Sequence, residues 1–446
     1  MDLRGKRVVV IGLGTSGIAA CRLLRARGAN VVGTDAKEPE AAKALAAEGI
    51  DVVLGGHEGA KVTEAELVVV SPGVPPIREI ADAEAKKIPI WGEVELATRL
   101  MAHPALIVAI GGTNGKSTVT SLVGALLQRA GKRVFVGGNL GEPLAAHADE
   151  TFDVVVLEVS SFQMERVDAF KPYVSVLLNV TPDHLDRYPS IDAYARAKGN
   201  AFVKQDHGDV AVVPFDDAVC IGEAQRGKAR MLTFGPGGDV DVLDHAIIDK
   251  TAHPSPIAYD RARIYLQGGH NALNVAAALA AVSAFELNPR DVAEVLCSFR
   301  GLPHRMALVR KLAGVTYYDD SKGTNVGATV TAVRGITQAK VVLVAGGRDK
   351  GGSYVPLVDA LKERGRAAVL IGEAADAIEK AIGSTLPTKR AGSMDEAVAF
   401  ASALAKPGDA VLLSPACSSF DMFRDYKHRG DEFVRAVMAL PGESQP

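Results

Sequence analysis

Residues 111–118, Gly111-Gly112-Thr113-Asn114-Gly115-Lys116-Ser117-Thr118, have the types and spacing that a triphosphate needs. The glycines let backbone N–H groups approach phosphate oxygens. Lys116 supplies a point charge, and a hydroxyl from Ser117 or Thr118 can ligate magnesium. An apolar run over 105–110 precedes the loop and a helical pattern over 119–130 follows it. A strand, a glycine turn and a helix N-terminus in that order imply a site for ATP or GTP. The strict G-x-x-x-x-G-K-[ST] spacing is not met, because Ile110 stands where its first glycine would be.

Other constellations carry chemistry of their own. Gly12-Leu13-Gly14-Thr15-Ser16-Gly17 follows a strand, and Asp35 ends the next one. The motif fits a dinucleotide with its ribose on Asp35, a scaffold whose glycines only allow packing, or a nucleotide-sugar diphosphate, and does not separate them. Glu158, at the end of an apolar strand, is placed like a magnesium-holding acid. Asp183, His184 and Asp186 follow another strand and could ligate metal or orient a substrate. Lys198, on the next helix, reads by pattern alone as a surface lysine. Asn271 reads as a helix cap or an adenine contact. Arg305 could reach a phosphate, and the loops 319–325 and 346–352, each with lysine beside acids or glycines, suit a small anion.

The elements that must hold these residues form three blocks, each opening with βα units. Short Val/Ile-rich runs alternate with helical patterns, which predicts parallel sheets covered by helices. The first block holds strands near 7–11, 30–34 and 66–70. The second holds strands near 132–136, 153–159 and 174–180, with a small antiparallel patch or insertion expected over 209–266 and a long alanine-rich helix over 271–285. The third has strands near 315–318, 340–345, 367–371 and 409–413 and a last helix over 420–438. Ligands of such sheets bind at the carboxyl ends of the strands, where every loop named above falls.

The 446 residues are 48% hydrophobic and 23% charged, so the chain is globular and long enough for two to three domains. A net charge of −3 offers no general footprint for nucleic acid. No apolar run reaches membrane-spanning length, and no signal peptide is evident. Four scattered cysteines, Cys21, Cys220, Cys297 and Cys417, suggest reduced thiols in a cytoplasmic protein.

Together these segments resemble the bacterial muramyl ligases, ATP-dependent amide-forming enzymes that build the peptide of peptidoglycan. The resemblance covers nearly the whole chain and rests on 112–118, 158–162, 179–186, 270–274 and 302–305. Within the family, 319–325 and 413–421 look most like the branch that adds D-glutamate to UDP-N-acetylmuramoyl-L-alanine. The resemblance implies an α/β fold of three domains: a Rossmann-like N-terminal domain over 1–94, a central P-loop ATPase-type domain over 95–301 and a C-terminal Rossmann-like domain over 302–446.

It also implies roles. Gly14, Thr15, Ser16, Asp35, Ser71, Gly73 and Asn139 would bind the UDP-substrate, with Asp35 reading uracil rather than ribose. Gly112, Thr113, Asn114, Gly115, Lys116, Ser117, Thr118, Asn271, Arg305 and Asp320 would bind ATP. Ser117 and Glu158 would hold one Mg2+ and His184 a second. Lys198 would be carbamylated, turning a cation into a carboxylate-like ligand. Lys116, His184 and Lys198 would be the catalytic residues. Lys322, Thr324, Lys350, Ser414 and Phe423 would position D-glutamate. The expected protein is a cytoplasmic monomer with small-molecule partners only. An NAD-dependent oxidoreductase and a non-catalytic nucleotide sensor are the competing classes.

Overall fold

Val8, Val9, Val10 and Ile11 are all fully buried. A strand hydrophobic at every position is the mark of a parallel sheet covered on both faces. The strand Arg7–Ile11 is the centre of such a sheet. Its five parallel strands run in the order Asp51–Leu54, Asn30–Asp35, Arg7–Ile11, Leu67–Val70, Ile90–Gly92. Strand order reverses direction between Arg7–Ile11 and Leu67–Val70, which opens a crevice at their carboxyl ends. The structure, a computed structural model, describes residues 2–185, 187–251, 255–349 and 353–442.

The second sheet has nine strands and centres on Leu106–Gly111, with Val174–Leu177 on one side and Val154–Glu158, then Val134–Gly138, on the other. The helix Lys116–Arg129 starts three residues earlier than its apolar pattern suggests, directly after Gly115 at φ 84°. The antiparallel patch expected over 209–266 is only half correct. Val210–Pro214 and Arg230–Phe234 extend the parallel sheet. Among the described residues of this segment, only Val240–Val242, Ala246–Asp249 and Ile257–Asp260 pair antiparallel. The reason is burial: Val210 to Val213 are covered like a central strand, and the helix Ala218–Ala224 supplies the crossover.

The third sheet runs Ala307–Leu312, Val315–Asp319, Ala410–Leu413, Val341–Gly346, Gly365–Ile371, Thr388–Arg390. Its first strand, which the pattern does not reveal, is antiparallel to the second. The two meet at Ala313 and Gly314, with φ of 50° and 77°, as a two-residue hairpin turn requires. The last helix is Tyr426–Met438, starting later than expected.

The chain divides into two compact units. One comprises Met1–Val180, Tyr188–Tyr265 and Leu273–Phe299, and so contains the first two sheets; the other comprises Thr181–Arg187, Leu266–Ala272 and Arg300–Pro446. Within the first unit, Ala19, Leu23, Val94 and Ala97 share one core with Ala109, Phe135, Val155 and Leu157, which joins both sheets' helices. Cys21, Cys220 and Cys417 are buried and Cys297 is exposed, and all four are free. No helix among the described residues is long and apolar enough to cross a membrane.

Candidate active site

In the first unit, a cavity of about 740 Å³ opens at the switch point of the first sheet. Its lining includes Gly14, Thr15, Ser16, Asp35, Ser71, Gly73 and Asn139, all seven positions expected there. The helix Thr15–Ala26 points its N-terminus at this space, with Gly14 as cap and no acid in its first turn. Orphan N–H groups and the helix dipole there favour an anion. A Cβ on Gly14 would meet nothing, whereas one on Gly17 would lie 1.8 Å from the Gly12 carbonyl oxygen. Gly17 is thus a packing glycine and Gly14 leaves room for a ligand. Asp35 accepts from the Leu13 N–H at 2.7 Å and the Lys37 N–H at 2.8 Å, which fixes its carboxylate beside the glycine turn. His57 and Gln163 also line the cavity, and sequence reasoning gave neither a role.

The phosphate loop lies at the carboxyl ends of the second sheet. Gly112 and Gly115 have φ of 141° and 84°, and a Cβ on Gly115 would sit 2.4 Å from Asn274 Oδ1. Lys116 Nζ donates to the carbonyls of Gly112 and Thr113 at 3.0 and 2.9 Å. The Ser117 hydroxyl donates to the Glu158 carboxylate, and Asn139 Nδ2 donates to the other Glu158 oxygen at 2.7 Å. Ser117 and Glu158 are both buried. A hydroxyl and a carboxylate in contact at a helix N-terminus are hard oxygen donors that suit magnesium. No group of three or more His, Cys, Asp or Glu side chains among the described residues could hold a metal by itself. Asn179 locks the loop: its side chain accepts from the Asn114 N–H at 2.9 Å and donates to the Asn114 carbonyl at 3.1 Å. Asn179 and Asn274 both belong to motifs visible in the sequence. Their contacts become visible only when the strand end and the helix are brought to the loop.

Lys198 overturns its pattern-only reading as a surface lysine. It is 5% exposed, its Nζ donates to the Gly112 carbonyl at 2.8 Å, and it lies 4.3 Å from the centre of the Tyr194 ring. The helix Ile191–Gly199 buries Tyr194, Ala195, Ala197 and Lys198, so the lysine shares the face that packs inward.

The second unit holds the remaining expected positions. His184 has φ 54°, and its Nε2 is 3.7 Å from Asp183 Oδ2, which also accepts from Asn325 Nδ2 at 3.0 Å. His184 therefore falls in a different unit from Ser117 and Glu158. Asn271 is no helix cap: Gly269–Val282 begins two residues before it, and Asn271 Nδ2 donates to the Gln267 carbonyl at 2.9 Å. At the carboxyl ends of the third sheet, Ser414 Oγ donates to Asp320 Oδ2 at 2.7 Å. Burial pushes the Asp320 carboxyl up to about 7, against the pull of Ser414 and the Arg305 charge. The Lys322 ammonium lies 4.0 Å from the centre of the Tyr426 ring, and the Thr324 N–H donates to the Lys322 carbonyl. Phe423 meets His428 edge to face at 5.8 Å. Lys350 and Asp186 lie outside the described residues.

A phosphate loop, a cavity that faces a helix N-terminus and a third sheet of parallel strands closed by one hairpin point to one class. Residues 6–92 match the model "Mur ligase MurD-like, N-terminal domain", 110–282 "Mur ligase middle domain" and 304–417 "Mur ligase, glutamate ligase domain". The chain belongs to the Mur ligase family. Within it, the chain is 42% identical to the UDP-N-acetylmuramoylalanine–D-glutamate ligase of Geotalea daltonii, over 99% of each chain. It is 41% identical to the enzyme of that name from Trichlorobacter lovleyi, over 99% of this chain and all of the other. The fold is shared with the solved UDP-N-acetylmuramate–alanine ligase of Thermotoga maritima (TM-score 0.61, 20% identity, 97% of this chain and 99% of the other). It is shared too with the Thermotoga maritima MurF ligase solved in complex with ADP (TM-score 0.60, 18% identity, 98% and 96%).

Proposed function

We propose that this protein joins D-glutamate to UDP-N-acetylmuramoyl-L-alanine at the expense of ATP, in cytoplasmic peptidoglycan precursor synthesis. The carrying observation is the pairing, in one compact unit, of a cavity lined by Gly14, Asp35, Ser71 and Asn139 with a phosphate loop whose Ser117 contacts Glu158. The names of the 42%-identical relatives support the choice of substrates. On this reading the chain works as three domains over 1–94, 95–301 and 302–446, and as a monomer.

The substrate's terminal carboxylate attacks the γ-phosphorus of ATP, the bond to ADP breaks, and an acyl phosphate forms. The D-glutamate amine then adds to the acyl carbon, loses a proton, and inorganic phosphate leaves. Both reactants of the first step are anionic, so cationic charge must offset their repulsion. Lys116 exchanges its loop carbonyls for the β/γ-phosphates, which its position at the helix start supports. Gly112, Thr113, Asn114, Gly115 and Thr118 cradle the phosphates, while Asn271, Arg305 and Asp320 hold the rest of ATP. Ser117 and Glu158 would hold one Mg2+ and His184 a second, and the ions would supply charge compensation for the transferring phosphoryl group. Lys198 is assigned as a carbamate; its burial beside the phosphate loop supports a functional position for it. Lys322, Thr324, Lys350, Ser414 and Phe423 receive D-glutamate.

The test is phosphate release with UDP-N-acetylmuramoyl-L-alanine, ATP and a panel of amino acids. Release that depends on D-glutamate is expected. Preference for L-glutamate, or for another amino acid, would overturn the substrate assignment.

A further inference from the structure

Arg429 is the largest fully buried side chain described in the protein. Arginine is almost never buried without a carboxylate partner. Among the described residues no carboxylate lies within ion-pair distance of this one, and its guanidinium is spent on two loops instead. Nε donates to Ser321 Oγ at 3.0 Å, Nη2 to the Ser321 carbonyl at 2.8 Å, and Nη1 to the Cys417 carbonyl at 3.1 Å. The Ser321 hydroxyl donates to the Tyr426 carbonyl at 2.8 Å, so its lone pair accepts from Nε. A third loop closes over the same group: a Cβ on Gly347 would stand 3.2 Å from Nη1 and 2.1 Å from the Ser418 carbonyl oxygen. The neighbouring Arg348 N–H donates to that Ser418 carbonyl at 2.9 Å.

These loops are those that carry the expected amino-acid positions. Ser321 precedes Lys322 and Thr324; Cys417 follows Ser414, and the Ala416 N–H donates to the Gly323 carbonyl at 2.9 Å. Burial lowers the guanidinium only to about 10, so it stays charged at neutral pH. Coulomb attraction is strong where water is excluded, and D-glutamate brings two carboxylates.

We propose that Arg429 is the positioning residue of the amino-acid subsite: its buried guanidinium clamps the Ser321 and Cys417 carbonyls in fixed register and lays a positive charge, met by Asp319, Asp320 and Asp421 only at longer range, behind the loops that receive the D-glutamate carboxylates. This deepens the functional reading above and rests on it. The three bonds leave from three separate nitrogens of a planar fork, a spread that the single ammonium nitrogen of lysine does not reproduce.

Steady-state phosphate release would be measured for wild type, Arg429→Lys and Ser321→Ala, varying each substrate in turn. For Arg429→Lys we expect KM for D-glutamate to rise about tenfold or more, with KM for ATP and the UDP-substrate within about twofold of wild type. Ser321→Ala, which removes one acceptor and no charge, should raise KM for D-glutamate by about threefold. A purely structural role would lower the melting temperature and leave that split absent. If KM for D-glutamate in Arg429→Lys stays within about twofold of wild type, the inference is overturned while the functional reading stands. Should Arg429→Lys fail to fold, the same unchanged KM in Ser321→Ala overturns it. Wild-type protein with no D-glutamate-dependent release would overturn the functional reading and this inference together.

Discussion

Glu93 sits at the start of the helix Glu93–Leu100, 1% exposed, in the same unit as the cavity and the phosphate loop. One carboxylate oxygen accepts from the Ala145 N–H at 3.2 Å, and the other has no hydrogen-bond partner among the described residues. Burial pushes its pKa from 4.5 up to about 7. The sign follows from proton counting: between the two values the folded state holds a proton that the unfolded state has lost, so stability falls as pH rises. The fall is about 1.4 kcal/mol per pH unit, or roughly 3 kcal/mol between pH 4.5 and 7, and it levels off above 7. Glu93→Gln cannot titrate. Its amide can still accept from Ala145, while its buried NH2 donors carry a pH-independent penalty of about 1–3 kcal/mol. The absolute effect of the substitution is therefore a balance, but its pH dependence is not. Relative to wild type, Glu93→Gln should gain about 2–3 kcal/mol of stability between pH 5 and pH 8. Urea melts of both proteins at half-unit pH intervals, following the unit that contains Trp91, would measure this. A difference that stays flat within about 0.5 kcal/mol from pH 5 to 8 would refute the claim that burial outweighs the single Ala145 hydrogen bond at this carboxylate.

Four substitutions probe the site assignments directly. Lys116→Ala should abolish phosphate release while UDP-substrate binding, followed by calorimetry, persists; turnover near the wild-type rate would sink the phosphate-loop assignment. Lys198→Ala should be inactive and partly restored by short carboxylic acids, which replace the lost anionic ligand; an active variant indifferent to such acids would count against the carbamate. Gly14→Ala should fold normally and lose UDP-substrate affinity, whereas Gly17→Ala should fail to fold, because its methyl group meets the Gly12 carbonyl; equal behaviour of the two in circular dichroism and binding assays would contradict the division of labour between these glycines.

The sheets were legible because parallel strands buried on both faces spell themselves as apolar runs, as Val8 to Ile11 and Val154 to Leu157 do. Loops at the carboxyl ends of those strands followed from topology. Strand Ala307–Leu312 was not legible: Arg310 and Lys311 interrupt its apolar positions, and Arg310 is buried only because the last helix and its exit offer carbonyls from Val437 to Gly442 to its guanidinium. The parallel pairing of Val210–Pro214 and Arg230–Phe234 was missed because short strands among turns look alike whichever way they pair. Lys198 and Arg429 mark the limit more sharply. Nothing local distinguishes a buried cation from a solvated one in Ala-Arg-Ala-Lys or Lys-His-Arg-Gly. What buries them, the Gly112 carbonyl for one and the Ser321 and Cys417 carbonyls for the other, is 86 and 12 to 108 residues away along the chain.

On the proposed function, Asn139 gives the first unit a physical reason to carry both ligands on one piece of structure. Asn139 lines the cavity and its side chain donates to Glu158, while Glu158 accepts from Ser117 at the head of the phosphate-loop helix. Gly138 makes this possible: φ is 97°, and a Cβ there would come within 2.6 Å of the Glu158 carbonyl oxygen, so only glycine lets the two strands end this close together. The Asn139 N–H in turn donates to that same carbonyl at 2.9 Å. An amide has only two N–H donors and a carbonyl with which to serve both sides. Any substrate group that bonds Asn139 therefore competes with, or reinforces, the bond that orients Glu158. For a reaction in which the cavity's ligand must present a carboxylate to a phosphate held at Lys116 and Ser117, such a shared residue ties the alignment of one reactant to that of the other. Neither loop alone would supply that coupling.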